Sequence, residues 1–193
     1  ITTILINDLQ NKSFDLFHFY ERRARRILPA LYSVLIVAIL YAFHTSPFYA
    51  RDIFQSIFAA TLFAENLLLL VESSNYFELG VDEKLLFHTW SLAVEEQYYI
   101  IFPLFLALTW KLGIKKITSI LLIIFILSLC LAHFSSTYGV FERVKTGSFY
   151  LIPTRAWELL IGVFIALHID YIQEKIKIEY NHFLSLLGLS MIL

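Results

Sequence analysis

The chain has 193 residues, 59% of them hydrophobic and 17% aromatic, and its net charge is −1. With a mean hydropathy of +0.70, it lacks the polar surface of a soluble domain of this length, and its charge leaves no global footprint for nucleic acid. Cys130 is the only cysteine and lies inside an apolar run, which excludes an internal disulfide and argues against a thiolate metal site; no metal is expected.

The apolar residues fall into blocks near the length that spans ~30 Å of hydrocarbon. The expected fold is therefore all-α, a polytopic integral membrane helical bundle. Ile1 to Ile6 reads as the tail of an earlier span and Asn7 to Lys12 as a polar exit. The last block, Phe183 to Leu193, is apolar to its end, so residues 1–193 are expected to be part of one membrane domain, truncated at both ends.

Ser13 or Asp15 is placed to cap an amphipathic helix that leads into Arg22, Arg23, Arg25 and Arg26. Four arginines directly before an apolar run are a topology signal, and the positive-inside rule puts them in the cytoplasm, against lipid phosphates. They also suit an anion site. Arg23 and Arg26, three apart, share a helix face and could clamp phosphates or a diphosphate.

The first complete span is expected from about Leu28 to Phe43, with Pro29 in its first turn, where a missing N–H costs nothing. His44 at its far end reads as interfacial. Residues 53 to 71 form the next apolar block, interrupted by Glu65 and Asn66. A charged glutamate near mid-membrane costs roughly 2–3 kcal/mol, so Glu65 should face the bundle interior, be neutral, or sit at an interface.

Glu72 to Lys84 reads as a polar loop. A central span follows from His88 to near Trp110, then a second basic loop with Lys111, Lys115 and Lys116. Residues 117 to 133 are almost purely aliphatic, with Cys130 and His133 packed near the end. A loop with Glu142, Arg143 and Lys145 precedes the span opened by Pro153, in which Arg155 and Glu158 can pair at i, i+3 or belong to a site. Gln173 to Asn181 reads as a mixed-charge loop. The two basic clusters cannot both be cytoplasmic if every block crosses. If both are inside, residues 53 to 71 do not cross simply and the mouth of the central span faces outward.

That mouth carries the densest chemistry. His88, Trp90, Ser91, Glu95, Glu96, Gln97, Tyr98 and Tyr99 run directly into apolar Ile100 to Leu106. Ionisable groups at a membrane span are expensive and mark a functional site by default. At 100° per residue, His88, Ser91 and Glu95 fall near one face, while Glu96 points about 100° away. One carboxylate should therefore serve the site, and the other should pair with a neighbouring helix. His88, Trp90, Gln97 and Tyr98 can donate hydrogen bonds, and either glutamate can accept from a hydroxyl or orient an imidazole. The alternatives are a Ser91–His88–Glu95 triad, an interhelical hydrogen-bond cluster, and a proton- or ion-coupled transporter or flippase using the glutamates Glu65, Glu95 and Glu96.

Four blocks carry a resemblance in a fixed order. They are Phe19-Tyr20 with Arg22, Arg23, Arg26 and Pro29; Asn75-Tyr76-Phe77; His88-Thr89-Trp90-Ser91-Leu92 with Glu95-Glu96-Gln97-Tyr98-Tyr99 and Phe102-Pro103; and Pro153, Arg155, Trp157-Glu158-Leu159-Leu160 and Gly162. Together they resemble the acyltransferase 3 family, and within it the bacterial polysaccharide O-acetylases of the cytoplasmic membrane. The resemblance implies a multi-pass domain of about ten helices, helices being one of two structures whose backbone is satisfied in lipid. It implies acyl transfer, usually from acetyl-CoA, to a hydroxyl of a glycan or lipid-linked glycan acceptor, with membrane lipids as surroundings. It further implies that Arg23 and Arg26 hold the acyl donor. His88, Glu95 and Glu96 then support catalysis, and Trp90, Ser91, Gln97, Tyr98, Arg155 and Glu158 contact substrate. The family's essential histidine lies in a first helix, and this chain begins after it. His88 is accordingly expected to assist rather than to be the principal base.

Overall fold

The computed structural model describes residues 2–72, 84–138, 150–168 and 188–190. The Asn75–Phe77 block, the charges at Glu142, Arg143 and Lys145, and the 173–181 loop lie outside the described residues.

Helix α1 (Thr2–Gln10) continues further than a polar exit at Asn7 would allow. It turns at Lys12, where φ is +55°. Asp15, in extended backbone, then caps α2 (Leu16–Ala42) by accepting the Phe17 amide at 2.9 Å. An accepted N–H at this position satisfies one of the orphan donors of the first turn. The amphipathic segment and the first span are one helix of 27 residues, so Pro29 is interior to it rather than in its first turn. Its ring leaves the carbonyl of Arg25 without an intrahelical donor, and membrane helices tolerate such a gap where other groups re-satisfy it. Leu31, Leu35, Ala38 and Ala42 recur at helical spacing and pack on Ile53, Ala60 and Leu86.

Residues 53 to 71 do not form one span. Helix α3 (Pro47–Thr61) ends in a tight reversal, and α4 (Glu65–Glu72) runs back. The Ala64 amide donates to the Ala59 carbonyl at 2.8 Å and the Phe63 amide to Ala60 at 3.1 Å. That pair of bonds is the Schellman pattern, which needs a left-handed residue between helix and exit. Here the residue is Phe63, with φ of +52°, where glycine is the usual occupant. A bulky residue in this region costs roughly 1–3 kcal/mol and persists only when its surroundings over-determine it. They do so here: the Gln97 amide nitrogen donates to the Phe63 carbonyl at 2.7 Å and to Asn66 Oδ1 at 2.9 Å, while Asn66 Nδ2 reaches the Tyr150 carbonyl at 3.0 Å.

Among the described residues, Lys84 ties the open ends of this hairpin. Lys84 Nζ donates to Asp52 Oδ1 at 3.2 Å, near the start of α3, and to Glu72 Oε2, at the end of α4. The Lys84 side chain is 1% exposed. Burial alone would lower its pKa; the hydrogen bond and charge of Glu72, with the charge of Asp52, reverse that and leave it above the usual lysine value. Both hairpin ends thus lie beside the approach to α5, and its tip lies deep in the bundle. It enters and leaves by the same side.

Helix α5 (Thr89–Thr109) is antiparallel to α2. Tyr20 donates to the Ile100 carbonyl at 2.9 Å and Arg23 meets Glu96 one turn earlier on α5. A short 3₁₀ turn, Trp110–Leu112, and Gly113 (φ +84°) lead into α6 (Ile114–Tyr138). Helix α7 (Ile152–Leu167) returns against α6, where Ser128 Oγ accepts the Trp157 amide at 3.0 Å. The main core joins α1, α2, α5, α6 and α7 through Leu5, Phe19, Phe102, Leu106, Ile117 and Leu160. Among the described residues, three helices are long and apolar enough to cross a membrane: Leu16–Ala42, Thr89–Leu112 and Ile114–Ser135. Their outer faces expose Val37, Leu40, Ile123 and Leu127, which suits lipid and would be an aggregation liability in water.

This topology resolves the charge conflict. The start of α2, with its arginines, and the start of α6, with Lys115 and Lys116, lie at one end of the bundle; His44 lies at the other, and the start of α5 faces the middle of α2. With α3–α4 as a re-entrant hairpin, both basic clusters obey the positive-inside rule. Single cysteines at Lys12, Ser46 and Lys115, in a Cys130→Ser background of the full-length protein, should react with impermeant maleimide from two sides. Lys12 and Lys115 should label together and Ser46 from the opposite face. Ser46 labelling together with Lys115 would mean that residues 53 to 71 do cross.

Candidate functional site

The arginine stretch and the central block meet across α2 and α5. Arg23 Nη2 donates to Glu96 Oε1 at 2.7 Å and Arg23 Nε to the same oxygen at 2.9 Å, with Oε2 at 3.2 Å. The two side chains are 14% and 10% exposed. The Tyr99 ring lies under the guanidinium, 3.4 Å from carbon to centroid. Stacking and two parallel N–H bonds fix the guanidinium plane in a way a lysine ammonium could not reproduce. The arrangement follows from the helix period: Glu96 sits 100° from Glu95 on α5 and turns toward α2, while Glu95 stays exposed.

A cavity of about 430 Å³ opens beside this pair, lined by Leu16, Tyr20, Arg23, Phe63, Glu96 and Ile100, with Ala24 and Ile27. Its wall is mostly apolar, and Phe63 brings the tip of the re-entrant hairpin into it. Cavities of this size, with a few convergent polar groups, are typical ligand sites.

Arg23 is therefore engaged, not a free phosphate clamp. Arg26 is exposed, about 60° round the helix from Arg23, and does not line the cavity, so the two do not converge on one pocket. Arg25 pairs with Glu21 at 2.6 Å and Arg22 with Asp8 at 3.7 Å, both on the surface. Exposed pairs of this kind contribute little to stability, and their guanidinium groups stay available to an anion.

His88, Ser91 and Glu95 share the exposed face of α5. Ser91 Oγ donates to its own helix, at the His88 carbonyl, at 3.2 Å. Among the described residues no hydrogen bond links the three side chains into a relay. Gln97 holds the hairpin tip. Tyr98 stacks on Phe102 at 4.9 Å, its hydroxyl buried and without a hydrogen-bond partner among the described residues. Arg155 lies over the Trp90 ring at 4.9 Å and donates to Glu158 at 2.6 Å, so the i, i+3 pair forms and the start of α7 docks on the start of α5.

The residues not singled out from sequence are Asp52 and Lys84, the ties of the hairpin, and Phe63, which lines the cavity; Tyr20, also on its wall, entered only as part of a block carrying the family resemblance. A lysine flanked by acidic residues at both edges of one apolar block was the available signal for the ties. Glu65 was singled out, and it does face the interior. It is 0% exposed, and its carboxylate lies beside the buried Ser56.

Comparison with known proteins gives the following. The acyltransferase domain family, acyltransferase 3, matches residues 2–193. The chain is 34% identical over 97% of its length to an uncharacterized protein of Haemophilus influenzae, of which it spans 78%. It is 30% identical over 86% of its length to the peptidoglycan O-acetyltransferase OatA of Listeria monocytogenes and 31% identical to the O-acetyltransferase OatA of Staphylococcus aureus. It spans only 27% of each of those two proteins. No solved structure matches it significantly.

Proposed function

The chain belongs to the acyltransferase 3 family, and from that premise we propose that the protein it is part of moves an acetyl group from acetyl-CoA to a hydroxyl of a cell-envelope glycan. The membrane would be the bacterial cytoplasmic membrane, with the donor on the side of the arginines. The OatA relatives, named for O-acetyl transfer, support this class of reaction over coupled transport.

The observation that carries the reading is the held guanidinium of Arg23 on the wall of a largely apolar cavity. Its Nε and Nη2 are committed to Glu96, and its plane is held against the Tyr99 ring. In the reaction the acceptor oxygen bonds to the thioester carbon and the C–S bond breaks. The hydroxyl proton leaves through a base, and the thiolate is released to take up a proton. Charge develops on the carbonyl oxygen. A donor fixed beforehand by a bidentate pair and a ring stack needs no reorganisation there, and such donors account for roughly 10²–10³ in rate. The apolar cavity suits the acyl-pantetheine arm, and the exposed cations Arg22, Arg25 and Arg26 suit the nucleotide phosphates outside it. Glu95 and His88, on their exposed face, are the groups to accept from or orient the acceptor. Glu95→Gln is then expected to abolish transfer, and His88→Ala to lower it without abolishing it.

Filling the cavity tests the donor assignment. Ala24→Phe places a ring in the space without touching the Arg23–Glu96 bond. In the full-length protein it should raise the KM for acetyl-CoA at least tenfold at unchanged membrane abundance. An unaltered donor KM would move the donor elsewhere.

A further inference from the structure

At the opposite end of the bundle a second cavity, about 420 Å³, lies between the end of α2, the start of α3 and the approach to α5. Its polar wall is Tyr41, Thr45, Ser46, Tyr49, Asp52 and Lys84. The two tyrosines are 54% and 48% exposed, so their rings are open to a ligand. Asp52 offers a carboxylate whose Oδ1 is already held by Lys84 at 3.2 Å, which fixes the group in place.

The charges narrow the ligand class. Lys84 is shared between Asp52 and Glu72, so its charge is already engaged by two carboxylates and is not offered to a phosphate or other anion. A neutral polyhydroxyl molecule needs no free cation. Its hydroxyls can donate to the carboxylate and exchange hydrogen bonds with Ser46 and the phenols, while its C–H faces lie on the tyrosine rings. We propose that this cavity binds a sugar residue of the glycan acceptor.

The proposal rests on the acyl-transfer reading and adds to it the place of the acceptor. Asp52 stands near the entrance of the re-entrant hairpin, about 14 Å along α3 from the tip that lines the donor cavity. The hairpin thus has one cavity at its tip and one at its base. Asn66 and Gln97 hold the tip, and the buried Glu65 continues the polar layer from there toward the base. Donor and acceptor would approach this layer from opposite faces of the membrane.

The test uses the full-length protein in nanodiscs and fluorescein-labelled tetra-N-acetylchitotetraose, followed by anisotropy with no acyl donor present. Saturable binding is expected, weakened at least tenfold by Tyr49→Ala and by Asp52→Asn and retained by Tyr49→Phe, which keeps the ring. Asp52→Asn also loosens Lys84, so Tyr49→Ala, an exposed position, decides the matter at normal abundance. Absence of saturable binding to the wild-type protein would overturn the proposal. So would binding indifferent to Tyr49→Ala, which would leave the tyrosines as an interfacial aromatic belt only. Acetyl transfer is measured in the same samples. Variant-sensitive binding without any transfer would sink the acyltransferase reading and leave the sugar site standing; transfer with variant-insensitive binding would do the reverse.

Discussion

Arg23→Ala should cost the full-length protein its fold before it costs it a substrate. Removing one partner of a buried pair leaves the other charge uncompensated, at about 3–5 kcal/mol. Glu96, buried beneath α2, would be that charge. As a free donor clamp, Arg23 would have been removable with insertion intact; the bidentate bond to Glu96 predicts otherwise. Thermal unfolding in detergent, followed by size-exclusion fluorescence, should show a large loss for Arg23→Ala and a comparable one for Glu96→Ala. The double variant should lose much less than the sum, because neither charge is then stranded. Additive losses would mean that the pair is not coupled. Arg23→Lys should rescue only in part, because an ammonium cannot make the two-nitrogen bond to Glu96.

An effect of similar size is expected at the other end of the re-entrant hairpin. Lys84→Met keeps the volume and the apolar stem but removes the cation that Asp52 and Glu72 share; their side chains are 16% and 4% exposed. The two carboxylates would then repel each other, again at about 3–5 kcal/mol, and the ends of α3 and α4 would lose their tie. Membrane abundance should fall steeply. Lys84→Met combined with Asp52→Asn and Glu72→Gln should recover much of it, since no buried charge remains. A Lys84→Met protein of normal abundance and unchanged melting would show that the hairpin is held by its tip alone.

The sequence made some of this legible and hid the rest for identifiable reasons. Helical character was plain because the apolar blocks are long and nearly free of charge, as in Ile117 to Leu131, which holds no charged residue. The divergence of Glu95 and Glu96 followed from the 100° step between neighbouring helical residues, and Glu96 does turn to another helix. That its partner is Arg23, 73 residues earlier, is a long-range contact that no local pattern encodes. The hairpin was harder still. Leu62-Phe63-Ala64 holds no glycine or proline to announce a reversal, and Phe63 takes a left-handed position through tertiary bonds from Gln97. Hydropathy averaged over residues 53 to 71 therefore resembled a span. Only Glu65 and Asn66 hinted at a break, together with the two basic clusters that could not otherwise share a side. Pro29 misled in the opposite direction, since a signal for a helix start stands inside a continuous helix. Arg26 and Arg23, adjacent by spacing, are separated by what each faces: one a cavity wall, the other open surroundings.

Acyl donor and acceptor are expected to meet from opposite faces of the membrane. Proteoliposomes holding the full-length protein in a single orientation, with the glycan acceptor confined to the side of Ser46 and radiolabelled acetyl-CoA supplied to one side at a time, test it most directly. Alkali-labile acetyl ester should appear on the glycan only when acetyl-CoA is given on the side of Lys115, and Ala24→Phe should suppress it. Ester formed with acetyl-CoA supplied only on the side of Ser46 would contradict the claim.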